Sequence, residues 1–164
     1  MRREFAKVMT ELAKKDPKVM LIILDVGGNV FDEYRKLFPD RFMNLGVIEQ
    51  AAVGFVSGLA LEGYKPYVYT IAPFMLDRPF EQVKLDIVKQ NANVKLFGFW
   101  DYPDAGPTHK INNVELQCKA LGIPLVEPKN GQEVREKMLE LHEAHGPAFF
   151  YITKDVTPLP QTAK

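Results

Sequence analysis

Three side chains able to move a proton, Asp25, Glu49 and His109, lie beside turn-forming or small residues. Glu49 falls in the stretch NLGVIEQAAVGF (44–55), surrounded by Leu45, Val47, Ile48, Ala51, Ala52, Val53 and Phe55. A carboxylate in apolar surroundings is expensive unless something pairs with it. Burial without a partner favours the neutral form of a carboxyl, so one reading of Glu49 is a proton donor. The other reading is a partly exposed acid in the first turn of a helix, where the dipole favours negative charge. His109 closes the run Gly106-Pro107-Thr108-His109, which either presents an imidazole from a stiff loop or uses it as an ordinary turn residue. Asp25 follows the apolar run VMLIIL and precedes Gly27, Gly28 and Asn29. That glycine pair is too short for a phosphate loop, because no GxGxxG or Walker pattern accompanies it.

The remaining polar and aromatic residues have plain structural readings. Phe74, Phe80, Tyr67, Tyr69 and Trp100 read as core or interface aromatics, and Cys118 as a small core residue. Arg78, Glu81, Lys84 and Asp86 read as the polar face of a helix. His142 and His145, three apart near a helix C-terminus, read as a solvated pair that suits the dipole.

The elements that must position these residues alternate regularly. MRREFAKVMTELAKKD spaces Phe5, Val8, Met9 and Leu12 as one face of a helix. Strands are expected at 19–24, 41–44, 66–70, 94–99, 124–126 and 148–152. Helices are expected at 31–38, 48–61, 74–91, 112–121 and 132–145, with Pro39 and Gly63 as stops. WDYPDAGPTHK (100–110) is a loop. This order predicts an α/β fold, a doubly wound, mostly parallel six-stranded sheet with helices on both faces. It predicts one domain, 1–155, with a C-terminal tail, 156–164. Ligands of such sheets bind beyond the strand C-termini, which nominates the loops 25–29, 44–49, 70–74 and 100–110.

Composition narrows the class. Of 164 residues 46% are hydrophobic and 26% charged, which is ordinary for a globular domain. Lys plus Arg and Asp plus Glu each number 21, so no global field points to nucleic acid or an anionic membrane. The single cysteine excludes an internal disulfide and a thiolate zinc site and agrees with a reducing cytoplasm. No apolar run approaches the roughly 20 residues of a membrane span. A soluble cytoplasmic protein is expected. The small-residue run Ala51, Ala52, Gly54, Ser57, Gly58, Ala60 would let another backbone approach closely, so that helix is expected to be buried, including against a second chain.

RFMNLGVIEQAAVGFVSGLALEGYKPYVYT and DAGPTHKINNVELQ resemble the pyrimidine-binding domain of transketolases and deoxyxylulose phosphate synthases, which use thiamine diphosphate. The matching residues are Arg41, Phe42, Asn44, Gly46, Glu49 and Gln50, then Phe74, Arg78, Glu81 and Gln82, then Gly106 to His109. They keep the family order over nearly the whole chain. The resemblance implies that Glu49 hydrogen-bonds the ring nitrogen of the cofactor's aminopyrimidine, where an acid favours the tautomer that activates the thiazolium carbon. It also implies that Phe74 packs on that ring, that Asp25, Ile71 and Arg78 lie around the cofactor, and that His109 bonds or polarises the substrate. Asn29, Trp100 and the adjacent Asp101 are the expected substrate contacts; Asn29 and Trp100 stand where transketolases carry a serine and a histidine for a sugar phosphate. Ile71 replaces an aromatic neighbour of the pyrimidine, and Ala105 an acid often found before the G-P-T-H run.

The family's G-D-G and N-N pattern for the diphosphate and its magnesium is not in this sequence, and no metal ligand is assigned to it. The resemblance therefore implies a split enzyme. A diphosphate-binding subunit would hold Mg2+, most simply in a heterotetramer with the cofactor across the interface. The implied reaction moves a two-carbon ketol unit from a ketose to an aldehyde. The alternatives are a decarboxylating relative, such as a deoxyketose synthase or the beta subunit of a 2-oxo acid dehydrogenase, and a non-catalytic regulatory partner.

Overall fold

The apolar run after the first helix forms a strand buried on both faces, β1 (Val19–Ile23), in the computed structural model, which describes residues 1–100 and 102–153. Alternation along β1 feeds two cores. Val19, Leu21 and Ile23 pack with Phe5, Met9 and Tyr34, whereas Met20 and Ile22 pack with Ala52, Val56 and Met75. This double burial is why the run has no polar alternation. Each such aliphatic side chain contributes about 1.5–3 kcal/mol on leaving water.

Five more strands complete the sheet: β2 (Phe42–Asn44), β3 (Lys65–Ile71), β4 (Lys95–Phe99), β5 (Leu125–Val126) and β6 (Ala148–Ile152). The order is 2-1-3-4-6-5, and every described pair is parallel. The helices α1 (Arg2–Lys15), α2 (Asp32–Leu37) and α7 (Gly131–Glu143) cover one face. On the other lie α3 (Glu49–Leu61), α4 (Ala72–Leu76) and α6 (Val114–Leu121), whose Cys118 is buried in that core. The doubly wound architecture is as expected. The tail 156–164 lies outside the described residues.

The helix expected over 74–91 is interrupted. After α4 the chain turns through Asp77, Arg78 and Pro79, resumes as a short α5 (Phe80–Gln82), and widens into a π-helical turn over Val83–Val88. Pro79 has no N–H to offer Met75 and its ring would clash with that carbonyl, so a continuous helix cannot pass through it. The N–H of Arg78 instead reaches five residues back, to the carbonyl of Pro73 at 3.4 Å. The break changes what Arg78 can touch.

At the sheet's N-terminal end the structure corrects the reading of the two histidines. His142 is buried: the Tyr67 hydroxyl lies 3.0 Å from its Nδ1, and Asp16 Oδ2 lies 3.4 Å from its Nε2. Burial holds the imidazole below the usual histidine range. Only His145 is exposed. Helical spacing could not reveal that Tyr67, 75 residues away, faces this turn.

Lys95, also buried here, donates from Nζ to Asn93 Oδ1 (2.9 Å), the Ala144 carbonyl (2.9 Å) and the Gly146 carbonyl. It ties the start of β4 to the turn before β6. Burial draws its pKa down from 10.5 to about 8, so the unfolded chain holds this proton to higher pH than the folded one. Stability contributed by this site therefore rises as pH increases from about 8 to about 10.5. Urea unfolding at pH 7.5 and pH 10 should show a gain on the order of 1–3 kcal/mol that Lys95→Met lacks. An identical pH response in the variant would remove Lys95 as the cause.

Candidate functional site

The strand order reverses at β1, which has β2 on one side and β3 on the other. Loops leaving the C-terminal ends of β1 and β3 therefore diverge and leave a crevice, the usual ligand position in open parallel sheets. A cleft of about 340 Å³ occupies that place. Leu24, Asp25 and Val26 enter it after β1, Val47 after β2, Ile71 and Phe74 after β3, and Tyr102 and His109 from the loop after β4. Its walls are mainly apolar, with Asp25, Tyr102 and His109 as the ionisable groups.

Asn44, the last residue of β2, fixes two of these loops with one atom. Its Oδ1 accepts from the backbone N–H of Asp25 at 3.1 Å and of Gly46 at 3.0 Å. Asp25 is thereby held in the left-handed region at φ 54°, a conformation uncommon outside glycine. Gly46, at φ 72°, makes the turn that brings Val47 to the cleft and starts α3. Thr108 and His109 lie in a short 3₁₀ turn, and the His109 ring meets Phe74 edge to face with centroids 4.8 Å apart. Thr108 Oγ1 lies 3.1 Å from His109 Nδ1.

Glu49 is buried at the first position of α3, as its apolar neighbours suggest. It is not unpaired: Arg78 Nη1 donates to Glu49 Oε1 at 2.7 Å. The reading of Glu49 as an uncompensated acid is corrected to that extent. The same guanidinium lies over Phe74, its Cζ 3.4 Å from the ring centroid. Glu49, Arg78, Phe74 and His109 thus form one contact chain ending in the cleft. Arg78 is not a solvated helix residue, because the break before Pro79 turns it toward α3.

The structure does not bring every expected substrate contact into this cleft. Asn29 lines a separate depression of about 400 Å³ with Arg3, Lys7 and Glu33. Trp100 lines another of about 750 Å³ with Arg2, Phe99 and Tyr102, and Tyr102 also borders the main cleft. Asp101 lies outside the described residues. Sequence reasoning gave no role to Asn44, Tyr102 or Arg2. Arg2 stands 5.0 Å from the centre of the Phe99 ring, although its position in the first helix carries no local sign of that contact. For Asn44 a signal existed, since a side chain ending an edge strand can reach both neighbouring loops.

The small-residue helix is half covered in this chain. Ala52, Val53, Val56 and Ser57 are buried, while Ala51, Gly54, Phe55, Gly58 and Leu61 are exposed. Within this chain the expected burial is met along the inner face of the helix.

A flat aminopyrimidine needs an apolar slot, an aromatic wall and a carboxyl group at its edge. The cleft supplies the slot, Phe74 the wall, and Glu49, one side chain removed through Arg78, the carboxyl. The apolar slot and Phe74 suit that end of thiamine diphosphate, while Glu49 lies behind Arg78, outside the lining of the cleft. Among the described residues no group of three or more His, Cys, Asp or Glu is placed to hold a metal ion, and no helix is long and apolar enough to cross a membrane.

Comparisons with known proteins identify the family of the chain. The family described as "Transketolase, pyrimidine binding domain" matches residues 1–160. One subunit of the apulose-4-phosphate transketolase of Actinobacillus succinogenes is 36% identical over 130 residues, covering 77% of this chain and 41% of that protein. The 1-deoxy-D-xylulose-5-phosphate synthase of Caldanaerobacter subterraneus subsp. tengcongensis is 41% identical over 141 residues, covering 80% of this chain and 22% of that protein. Among solved structures, one described as "Split gene transketolase, inactive beta4 tetramer" superposes with a TM-score of 0.86 at 25% identity, covering 96% of this chain and 52% of that one. This chain spans about half or less of the length of these relatives.

Proposed function

Because the chain belongs to the family of transketolase pyrimidine-binding domains, we propose that it supplies the pyrimidine-facing half of a thiamine diphosphate site in a split, transketolase-like enzyme. The enzyme transfers a two-carbon ketol unit from a ketose to an aldehyde. The observation that carries this reading is the array of Glu49, Arg78, Phe74 and His109 at the switch point of the sheet.

When bound, the cofactor supplies a carbon nucleophile able to break and form bonds beside a carbonyl. The residues of this chain prepare and shelter that chemistry. Glu49 holds a proton at the ring nitrogen of the aminopyrimidine. Phe74 stacks on the ring, Ile71 closes the slot beside it, and Asp25, fixed by Asn44, borders it. His109 hydrogen-bonds the substrate oxygen at the reacting carbon. Asn29, Trp100 and Asp101 serve the more distant part of the substrate.

The diphosphate and its magnesium belong to a second polypeptide. Two comparisons support a partnered half-site. One relative is named as a single subunit of its transketolase, and a split-gene transketolase in its beta4 tetramer is described as inactive, as expected of a chain that carries half of a site. A heterotetramer in the cytoplasm is the simplest assembly, and the exposed Ala51, Gly54, Phe55, Gly58 and Leu61 face of α3 suits the contact. A family that includes deoxyxylulose phosphate synthases makes decarboxylation the competing reaction. The test mixes this chain with a polypeptide carrying the G-D-G and N-N pattern, thiamine diphosphate and magnesium, and offers ketose donors or pyruvate. Turnover of a ketose with an aldehyde acceptor is expected; turnover of pyruvate alone would replace ketol transfer with decarboxylation.

A further inference from the structure

Arg78 makes two contacts that the proposed role of its neighbours requires them to give up. Its Nη1 holds Glu49 Oε1 at 2.7 Å, and its guanidinium carbon stands 3.4 Å from the centre of the Phe74 ring. A planar cation so close to a ring face excludes a second flat group from that face. A carboxylate in an ion pair has no proton to give, and a neutral ring nitrogen, itself an acceptor, gains nothing from it. One side chain therefore holds both elements of the pyrimidine subsite. Its position permits release. The Arg78 side chain is 30% exposed against 5% for Glu49, and its backbone lies in the turn between α4 and α5 rather than inside a helix.

Resting on the reading of Glu49 and Phe74 as pyrimidine contacts, we propose that Arg78 is a positioning residue that competes with the aminopyrimidine. It keeps the buried Glu49 carboxylate compensated and fixes the Phe74 ring, and it swings away as the ring enters. The balance is simple. Losing Arg78 leaves the Glu49 carboxylate buried without its partner, and a proton taken from solvent water as the guanidinium leaves turns it into a donor for the ring nitrogen. Entry of the ring, departure of the guanidinium and uptake of that one solvent proton are thus one coupled event. No bond to carbon changes in it.

Competition makes a prediction that an ordinary binding or structural role reverses. Thiamine, which carries the aminopyrimidine without a diphosphate, is titrated into the 164-residue chain by calorimetry. Arg78→Gln should bind it about tenfold more tightly than the unchanged chain. Equal or weaker binding by a folded Arg78→Gln chain, undetectable binding included, would overturn the proposal. Adding Glu49→Ala to that variant separates the two ideas, because alanine leaves no donor for the ring nitrogen. If the double variant binds thiamine as well as Arg78→Gln does, the role given to Glu49 fails, whatever Arg78 does. Should Arg78→Gln not fold, the unchanged chain gives the answer by NMR. The Arg78 Nε–H resonance, shielded by the Phe74 ring, should move downfield as thiamine saturates, and a resonance that stays in place at saturation contradicts displacement.

Discussion

Glu49→Gln should lower ketose turnover by the assembled enzyme about 10²–10⁴-fold, the usual contribution of a positioned acid or base. The substitution keeps the shape of the side chain and an oxygen that can still accept from Arg78, so the fold should survive. What it removes is a carboxyl group able to take up and return a proton at the ring nitrogen. Arg78 is partly exposed and can be solvated when its partner loses charge, so the expected stability loss is small, about 1 kcal/mol or less. Initial rates with saturating cofactor and a thermal melt of the chain separate the two effects. A variant with normal turnover would refute proton donation by Glu49, and one with low turnover and a collapsed melt would point to structure instead.

Gly98→Ala should destabilise the chain by about 1–3 kcal/mol and weaken cofactor binding at the same time. Gly98 sits in β4, and a Cβ there would lie 2.4 Å from Phe149 Cζ, 2.9 Å from Ala72 Cα and 3.1 Å from Ala72 Cβ. The ring can tilt, but the Ala72 Cα is backbone at the start of α4. Relief of that contact pushes α4 away from the sheet, and α4 carries Phe74. Urea unfolding together with calorimetric cofactor titration should therefore show both losses in one variant. Unchanged stability would mean that α4 is free to move and that the close approach does not set the position of Phe74.

How far the sequence alone reaches is visible in these residues. The uninterrupted apolar run of β1 disclosed a strand covered on both faces, because a strand flanked by two helical layers has no solvent side to mark with polar residues. The alternation of elements disclosed the parallel sheet, and the sheet disclosed which loops could converge. Glu49 was conspicuous because an acid among alanines and valines demands an explanation. Arg78 stands out only through the family motif, since on a continuous helix it falls on the polar side; its contact with Glu49 follows from the break at Pro79, which turns it toward α3. His142 escaped for a similar reason. Its partners Tyr67 and Asp16 lie far away in sequence, and helical spacing describes one helix, not what packs on it. Gly98 read as one more strand residue. Its meaning depends on the backbone of Ala72, a contact between elements that no local pattern encodes.

In the function proposed for it, this chain holds the pyrimidine end of a cofactor whose diphosphate end is held elsewhere. The most direct test is the dissociation constant of magnesium thiamine diphosphate, measured for this chain, for a polypeptide carrying the G-D-G and N-N pattern, and for their mixture. The mixture should bind at least about tenfold more tightly than either component, and Glu49→Gln with Phe74→Ala should erase that gain. A mixture that binds no better than the diphosphate-binding polypeptide alone would contradict the account.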